Sequence, residues 1–212
     1  MRLGLVLLMG LLCAGCETAS YKLYEQFGYE KRDLLVSRVE SAMDAQEDAK
    51  EEFLSAFEQF EAVVGVPESD LKSVYSDLSD AFDDAESRAE AVSDRIDAVE
   101  NVSEDLFEEW ADEAQQISNA SMRRTSQQQL EASKRRYSGL IKAMRQAESR
   151  MAPVLTTFRD HVLFLKHNLN AQAIASLKTE LDGIESNVGR LIQDMEASIA
   201  QAQDYIAAET RG

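Results

Sequence analysis

The residues best suited to covalent chemistry stand near the start of the chain. Leu12-Cys13-Ala14-Gly15-Cys16 directly follows a short apolar run and has the form of a bacterial lipobox, in which the thiol of the last cysteine is acylated. The apolar run, residues 3–12, has about half of the ~20 residues that a membrane-spanning helix needs. The motif therefore predicts a cleaved signal peptide over residues 1–15 and a lipid on Cys16. An ordinary signal peptide that happens to end in cysteine is the alternative.

The predicted lipid also indicates where the protein resides. Glu17 follows Cys16 at the position where an aspartate would favour retention in the inner membrane, so we expect a cell-envelope protein anchored in the outer membrane and facing the periplasm. Two or more acyl chains hold a protein stably on a bilayer. Cleavage removes Cys13 and acylation blocks Cys16, so the mature chain can form no internal disulfide. The sequence predicts no cofactor apart from this covalent lipid on Cys16.

Two histidines are the other candidates for chemistry. His161 and His167 are six residues apart, about 240° around a helix, so they do not share a face. Neither follows a glutamate by three residues, as the ligands of di-iron bundles do. We therefore expect solvated or cap-associated histidines, no metal site and no catalytic residue. The alternative is an envelope enzyme in which either histidine works with Asp160 as an acid–base group. Such an enzyme needs a concave, partly dry pocket, which a regular helical rod lacks.

Long helices must position these groups. Only two prolines and nine glycines interrupt 212 residues, and the stretches between them are rich in residues that favour helices. Apolar residues recur at alternating steps of three and four, the spacing of a coiled-coil seam. Four segments show this pattern: residues 35–63, 71–117, 130–169 and 174–205. We predict an all-α fold, an elongated antiparallel bundle of four long helices with coiled-coil-like packing. It occupies residues 31–212, after a lipidated membrane-proximal segment over residues 16–30.

Turn-forming residues separate the four segments. Gly65-Val66-Pro67 ends the first segment, Ser118 and Asn119 follow the second, and residues 168–170 follow the third. Pro153 lies within the third pattern, which continues in phase, so we expect a bend there rather than a helix end. Gln46 occupies the one polar position of the first seam. The pattern predicts three reversals of the chain.

Charge supports the folding of the second segment onto the third. Residues 17–120 hold 29 acids and 8 bases, whereas residues 121–168 hold 3 acids and 10 bases. Facing core positions of these segments have residue numbers that add to 240, and those of the third and fourth add to 339. The first register puts Asp94 near Arg145 and Glu90 near Arg150. Exposed ion pairs contribute about 0.2–1 kcal/mol each, so they select the register more than they stabilise the bundle.

The topology orients the predicted rod on its membrane. With Cys16 at the base, the turns at residues 65–67 and 168–170 lie at the far tip, and the turn near Asn119 returns to the base. At the base, Arg123 and Arg124 could meet anionic lipid heads or pair with Asp112 and Glu113. The tip is dense in polar groups, although the chain needs only a turn at this end of the bundle. The candidate partner-binding surface comprises Arg159, Asp160, Lys166, His167, Asn168 and Asn170, with helix capping and solvation as the alternative.

These features favour a structural role. The leading interpretation is a non-enzymatic scaffold, tether or partner-binding module that presents its tip to an envelope protein or to peptidoglycan. Self-association through apolar stripes such as Phe57 and Val64 would make the protein an oligomer instead. The basic run Lys134-Arg135-Arg136 resembles a nucleic-acid patch by composition. A formal net charge of −17 and the envelope address argue against nucleic acid as a partner.

Three segments carry a resemblance to a known family. They are residues 27–33 (FGYEKRD), 119–124 (NASMRR) and 158–171 (FRDHVLFLKHNLNA). Over essentially the whole mature chain, the sequence resembles a family of uncharacterised bacterial lipoproteins filed as a domain of unknown function. Some relatives are labelled DNA repair ATPase, but this chain has no G-x-x-x-x-G-K-[ST] phosphate loop. The resemblance implies a family without an established activity, and it adds no catalytic residue.

Overall fold

A computed structural model describes the backbone of residues 16–210 and the side chains of residues 31–67 and 69–210. Five α-helices and one short 3-10 helix account for nearly all of this part of the chain. They are α1 (Cys16–Gly65), the 3-10 helix Glu68–Asp70, α2 (Leu71–Gln116), α3 (Ala120–His167), α4 (Ala171–Lys178) and α5 (Leu181–Glu209). No strand occurs within residues 16–210, so the all-α prediction is confirmed. The predicted signal peptide and the thiol of Cys16 lie outside the described residues.

The long helices form a ring of four antiparallel neighbours. Helix α1 packs against α2 and α5, and α3 closes the ring by packing against the same two helices. Each helix contributes fully buried apolar side chains at its predicted seam positions, because a continuous apolar stripe must face the other helices to leave water. Examples are Phe53 of α1, Ile96 of α2, Met144 of α3 and Leu191 of α5. No helix in the described part of the chain has both the length and the apolar character needed to span a bilayer.

The predicted registers agree with the structure to within about one helical turn. Arg145 contacts Asp97 and Glu100 rather than Asp94, and Phe107 meets Tyr137 edge-on at 5.4 Å between ring centroids. Between α3 and α5, Gln146 donates to Asp194 at 2.9 Å, and these two residue numbers add to 340. The predicted Glu90–Arg150 pair is wrong, because Arg150 turns to Asp194 on α5. Long flexible side chains reach either neighbour, so seam spacing fixes the register but not each ion pair.

The turn formers cap the helices as their residue types suggest. The Asn119 side chain accepts hydrogen bonds from the backbone N–H groups of Ser121 and Met122, which caps the start of α3. Asn170 does the same for α4 with Gln172 and Ala173. Helix α3 runs without interruption past Pro153. Two of the three predicted reversals therefore rest on side-chain caps, whereas α2 begins without one.

The fourth predicted helix is divided into α4 and α5. The backbone N–H groups of Thr179 and Glu180 bond to carbonyls three residues earlier, at 3.1 and 3.0 Å, and the Thr179 hydroxyl donates to the Ser176 carbonyl at 2.7 Å. These tighter bonds replace the α-helical pattern for one turn. Leu177 and Ile184 on either side are both buried, so the seam continues in phase across the break. The apolar pattern therefore predicted one helix where the backbone forms two.

Gln46 is enclosed within the bundle, as its seam position predicts. The residue is fully buried, and neither atom of its amide has a hydrogen-bond partner among the described residues. The Ser198 hydroxyl on α5 is likewise buried without a partner there. Buried polar groups in this condition reduce stability, because they lose their hydrogen bonds to water and gain none in return.

Candidate functional site

Helix ends meet at the end of the bundle that we call the distal end. It contains the close of α1 at Gly65, the start of α2, the close of α3 at His167 and helix α4. Because α4 is short and separated from α5 by the Thr179–Glu180 turn, it packs against α1 and α3 as an independent segment. The break in the fourth helix thus gives this end a geometry that a regular rod does not have.

A cleft of about 410 Å³ lies between the last turns of α3 and helix α4. We call it the distal cleft; its lining residues are Thr157, Asp160, His161, Phe164, Ser176, Leu177 and Glu180. Pockets for small ligands range from about 300 to 1,000 Å³, so the cleft is at the small end of that range. The distal end is therefore not a featureless end of a rod, because it carries this half-open depression. Glu180 reaches the cleft because the helix breaks beside it.

His161 lies at the base of the distal cleft. Only 8% of the residue is exposed, its ring lies 5.1 Å from the ring of Phe60, and its Nε2 lies 3.3 Å from Oε2 of Glu180. Burial lowers the pKa of His161, although the charges of Glu180 and Asp160 partly oppose this shift. The imidazole is therefore mainly neutral at neutral pH. The expectation of a solvated or cap-associated residue is wrong for His161, because its ring packs against Phe60.

The other histidine does not join this site. His167 is exposed at the last residue of α3, whereas His161 faces the bundle interior. No group of three or more His, Cys, Asp or Glu residues within the described chain could hold a metal ion. The two histidines therefore belong to different environments, as their spacing predicts.

Three residues of the predicted tip surface have structural partners. The Arg159 guanidinium pairs with Glu86 of α2 and lies 5.8 Å from the centre of the Phe82 ring. Asn168 donates from its side chain to the Phe164 carbonyl at 2.8 Å, and Asn170 caps α4. For these three side chains, ion pairing and helix capping account for the residue type.

The remaining predicted tip residues are exposed at the distal end. Asp160, Lys166 and His167 have no ion-pair partner among the side chains that the structure describes. Two apolar side chains, Leu163 and Phe164, are exposed between them, to 53% and 42%. We call these five residues the distal patch. The sequence reasoning missed the apolar pair, although both residues lie off the seam of α3 and so could have been recognised.

The opposite end, which we call the proximal end, holds the predicted membrane-contact residues. Arg123 donates to the Ile117 carbonyl at 2.9 Å and so satisfies a carbonyl at the end of α2, while Arg124 is exposed. The alternative pairing of these arginines with Asp112 and Glu113 is not seen among the described side chains. Arg123 therefore has a capping role, whereas Arg124 is exposed and has no ion-pair partner among the side chains that the structure describes.

Acidic residues of α2 pair with cations from two helices, α1 and α3. Lys31 of α1 lies 2.5 Å from Glu109, and its hydrogen bond to that carboxylate raises the Lys31 pKa. Burial, with the nearby charge of Glu109, raises the pKa of Glu113. Nearer the start of α2, Arg145 of α3 contacts Asp97 and Glu100. Cations of α1 as well as α3 therefore compensate the negative charge of α2.

Comparison with known proteins gives the chain a family and no activity. No curated protein and no solved structure matches it. Residues 20–208 match the family described as protein of unknown function (DUF2959). The match spans all five helices apart from the first residues of α1 and the last residue of α5. The chain therefore belongs to this family of proteins of unknown function.

Proposed function

We propose that the protein is a lipid-anchored component of the cell envelope, a non-enzymatic helical scaffold or tether that binds a partner through its distal end. The observation that carries this proposal is the distal patch beside the distal cleft. Exposed apolar side chains next to exposed charges are typical of protein-binding surfaces. The fold does not require them, since the cores of α3 and α4 are closed by other residues, such as Leu165 and Ala173.

The distance between the anchor and the patch suits a tether. Helix α1 begins at Cys16 and is 50 residues long, so at 1.5 Å per residue its far end lies about 75 Å from the proposed lipid. A partner at the distal end would be held at that distance from the membrane. Arg124 at the proximal end could add contact with anionic lipid heads. An outer-membrane address and a partner in the periplasm, either a protein or peptidoglycan, complete the proposal.

Labelling with radioactive palmitate tests the anchor. Full-length protein should take up label in cells, and Cys16→Ala should abolish it, because the change removes the thiol that is proposed to carry the lipid. Cys13→Ala is the matched control and should leave labelling unchanged. Label on the Cys16→Ala protein would contradict the lipid assignment.

Co-purification from detergent-solubilised envelopes tests the role of the distal end. We expect the combined change Phe164→Ala, Lys166→Ala and His167→Ala to release a partner that the wild-type protein retains. Lys142→Ala removes an exposed charge from the middle of α3 and serves as the control. Retention of every partner by the triple variant would remove the distal patch from consideration.

An acid–base enzyme is the second candidate, because the distal cleft supplies the concave site that such an enzyme needs. Asp160, His161 and Glu180 would be its titratable groups. The two candidates differ in what His161→Gln should do. If the protein is a scaffold, wild type and His161→Gln should both retain the partner and leave it chemically unaltered. If it is an enzyme, wild type should convert the partner and His161→Gln should not.

Self-association through the stripes proposed from the sequence has less support. Phe57 and Val64 are partly buried and pack against the core, so they do not form an exposed stripe. Light scattering of the detergent-solubilised protein would measure the oligomeric state directly.

A further inference from the structure

We propose that the distal cleft binds a primary ammonium group carried on an aliphatic chain, such as the side chain of a lysine. This proposal deepens the proposed function, on which it rests, by naming the chemical group that the distal end receives from its partner. It follows from three properties of the cleft: the sign of its charge, the position of its apolar wall and its hydroxyl groups.

The charge of the lining favours a cation. Asp160 and Glu180 contribute two carboxylates, and the one other titratable lining residue is the buried His161. Arg159, next to Asp160 in sequence, is paired with Glu86 on α2 and does not line the cleft. Lys178 is exposed on α4 and also stands outside the lining. A phosphate or carboxylate ligand would therefore meet like charges, whereas an ammonium ion would find two opposite ones.

His161 lies beside one of these carboxylates. Its Nε2 is 3.3 Å from one oxygen of Glu180, which leaves the second oxygen of that carboxylate available to a ligand. The imidazole is held against Phe60 and is nine-tenths buried, so it forms a fixed wall beside the exposed Glu180 side chain.

The remaining lining suits an ammonium group on an apolar chain. The Thr157 and Ser176 hydroxyls are acceptors for N–H donors, and an ammonium ion has three such donors. The half-exposed Phe164 ring and the buried Leu177 offer an apolar wall for methylene groups, and the face of an aromatic ring attracts cations. The lining therefore favours a flexible alkylammonium over a small inorganic cation, which prefers a dense shell of oxygen ligands.

Titration of the full-length, detergent-solubilised protein tests the proposal. The probes are Nα-acetyl-lysine methylamide, the free diamine cadaverine, and Nα,Nε-diacetyl-lysine methylamide, which has the same chain without the charge. Chemical shifts of the Phe164 and His161 rings report binding. We expect saturable shifts with the two charged probes and none with the diacetylated probe. Tighter binding of the lysine derivative than of cadaverine would indicate that the natural ligand is a protein side chain. Tighter binding of cadaverine would indicate that it is a free amine.

Variants then assign the carboxylates. Asp160→Asn and Glu180→Gln should each weaken binding of the charged probes by about tenfold, since the amide keeps an acceptor oxygen but loses the negative charge that attracts the ammonium group. Both side chains are exposed, so the fold should be retained. Glu185→Gln removes an exposed carboxylate outside the cleft and should leave the affinity unchanged.

Equal binding of the diacetylated probe, or equal affinities for Asp160→Asn, Glu180→Gln and wild type, would overturn this proposal. The proposed function has a separate test in partner co-purification. If the probes do not bind but a partner is still captured through the distal patch, the alkylammonium ligand is rejected and the proposed function is kept. Binding of the probes without any partner at the distal end would reject the scaffold role while leaving the ligand class in place.

Discussion

The middle of the bundle and its distal end use their side chains differently. In the middle, buried seam residues from four helices fill the interior, and charged residues such as Arg145 and Arg150 form ion pairs between helices. At the distal end, Leu163, Phe164 and Lys166 are exposed without such partners among the described residues, and a cleft opens beside α4. Folding accounts for most residue types of the middle, with the buried Gln46 as an exception. It does not account for the exposed Leu163, Phe164 and Lys166 of the distal end, and this is why we place function there.

The largest expected effect tests the packed middle. Phe53→Ala should lower the free energy of unfolding by about 3–5 kcal/mol, because it removes a fully buried aromatic ring and leaves a cavity. Urea unfolding followed by circular dichroism measures the change. Leu54→Ala, at the adjacent 40%-exposed position, should change stability by less than about 0.5 kcal/mol. Similar losses at the two positions would mean that the middle is not packed as described.

A smaller effect of opposite sign is expected at Gln46. Gln46→Met should raise the free energy of unfolding by about 1–2 kcal/mol, since it replaces an unpartnered buried amide with an apolar side chain of similar shape. Gln127→Met, at an exposed position of α3, is the control for the change of residue type. A destabilised Gln46→Met protein would show that the amide contributes a favourable interaction inside the bundle.

The ion pairs of the middle should contribute less than its core. Arg145→Ala should lower the free energy of unfolding by about 1 kcal/mol, because the guanidinium joins Asp97 and Glu100 of α2 to Glu148 but is one-third exposed to solvent. The loss should shrink as salt is added. Lys142→Ala removes a nearby exposed cation that has no ion pair in the described chain, and it should have almost no effect. Equal losses of stability in the Arg145→Ala and Lys142→Ala proteins would show that Arg145 does not stabilise the bundle by bridging α2 and α3.

The smallest expected effect concerns pH at the distal end. Because burial lowers the pKa of His161 in the folded protein, the unfolded chain binds a proton more readily below about pH 6.5. The free energy of unfolding should therefore fall as the pH drops from 7.5 to 5.5, and His161→Gln should reduce this fall. His167→Gln, the same change at the exposed histidine, is the matched control. A stability that rises on acidification would show that Glu180 and Asp160 outweigh burial.

The sequence predicted the middle of the molecule far better than the distal end. Seam spacing identified the buried faces, and the asparagines at positions 119 and 170 marked the starts of α3 and α4, because periodicity and caps are local properties. The break at Thr179 was not predictable from the seam, since Leu177 and Ile184 stay in phase across it. Without the break, neither the cleft nor the approach of Glu180 to His161 could be inferred. The structural partners of Arg159 and Arg123 also depend on tertiary contacts that residue spacing does not encode.

Photo-crosslinking in living cells tests most directly whether function lies at the distal end. A photoreactive amino acid would replace Leu163 in the distal patch or, as the comparison, the exposed Ser138 in the middle of α3. Each adduct would be identified by mass spectrometry. We predict a discrete adduct from position 163 that does not form from position 138. Capture of a partner from position 138, with none from position 163, would contradict the account.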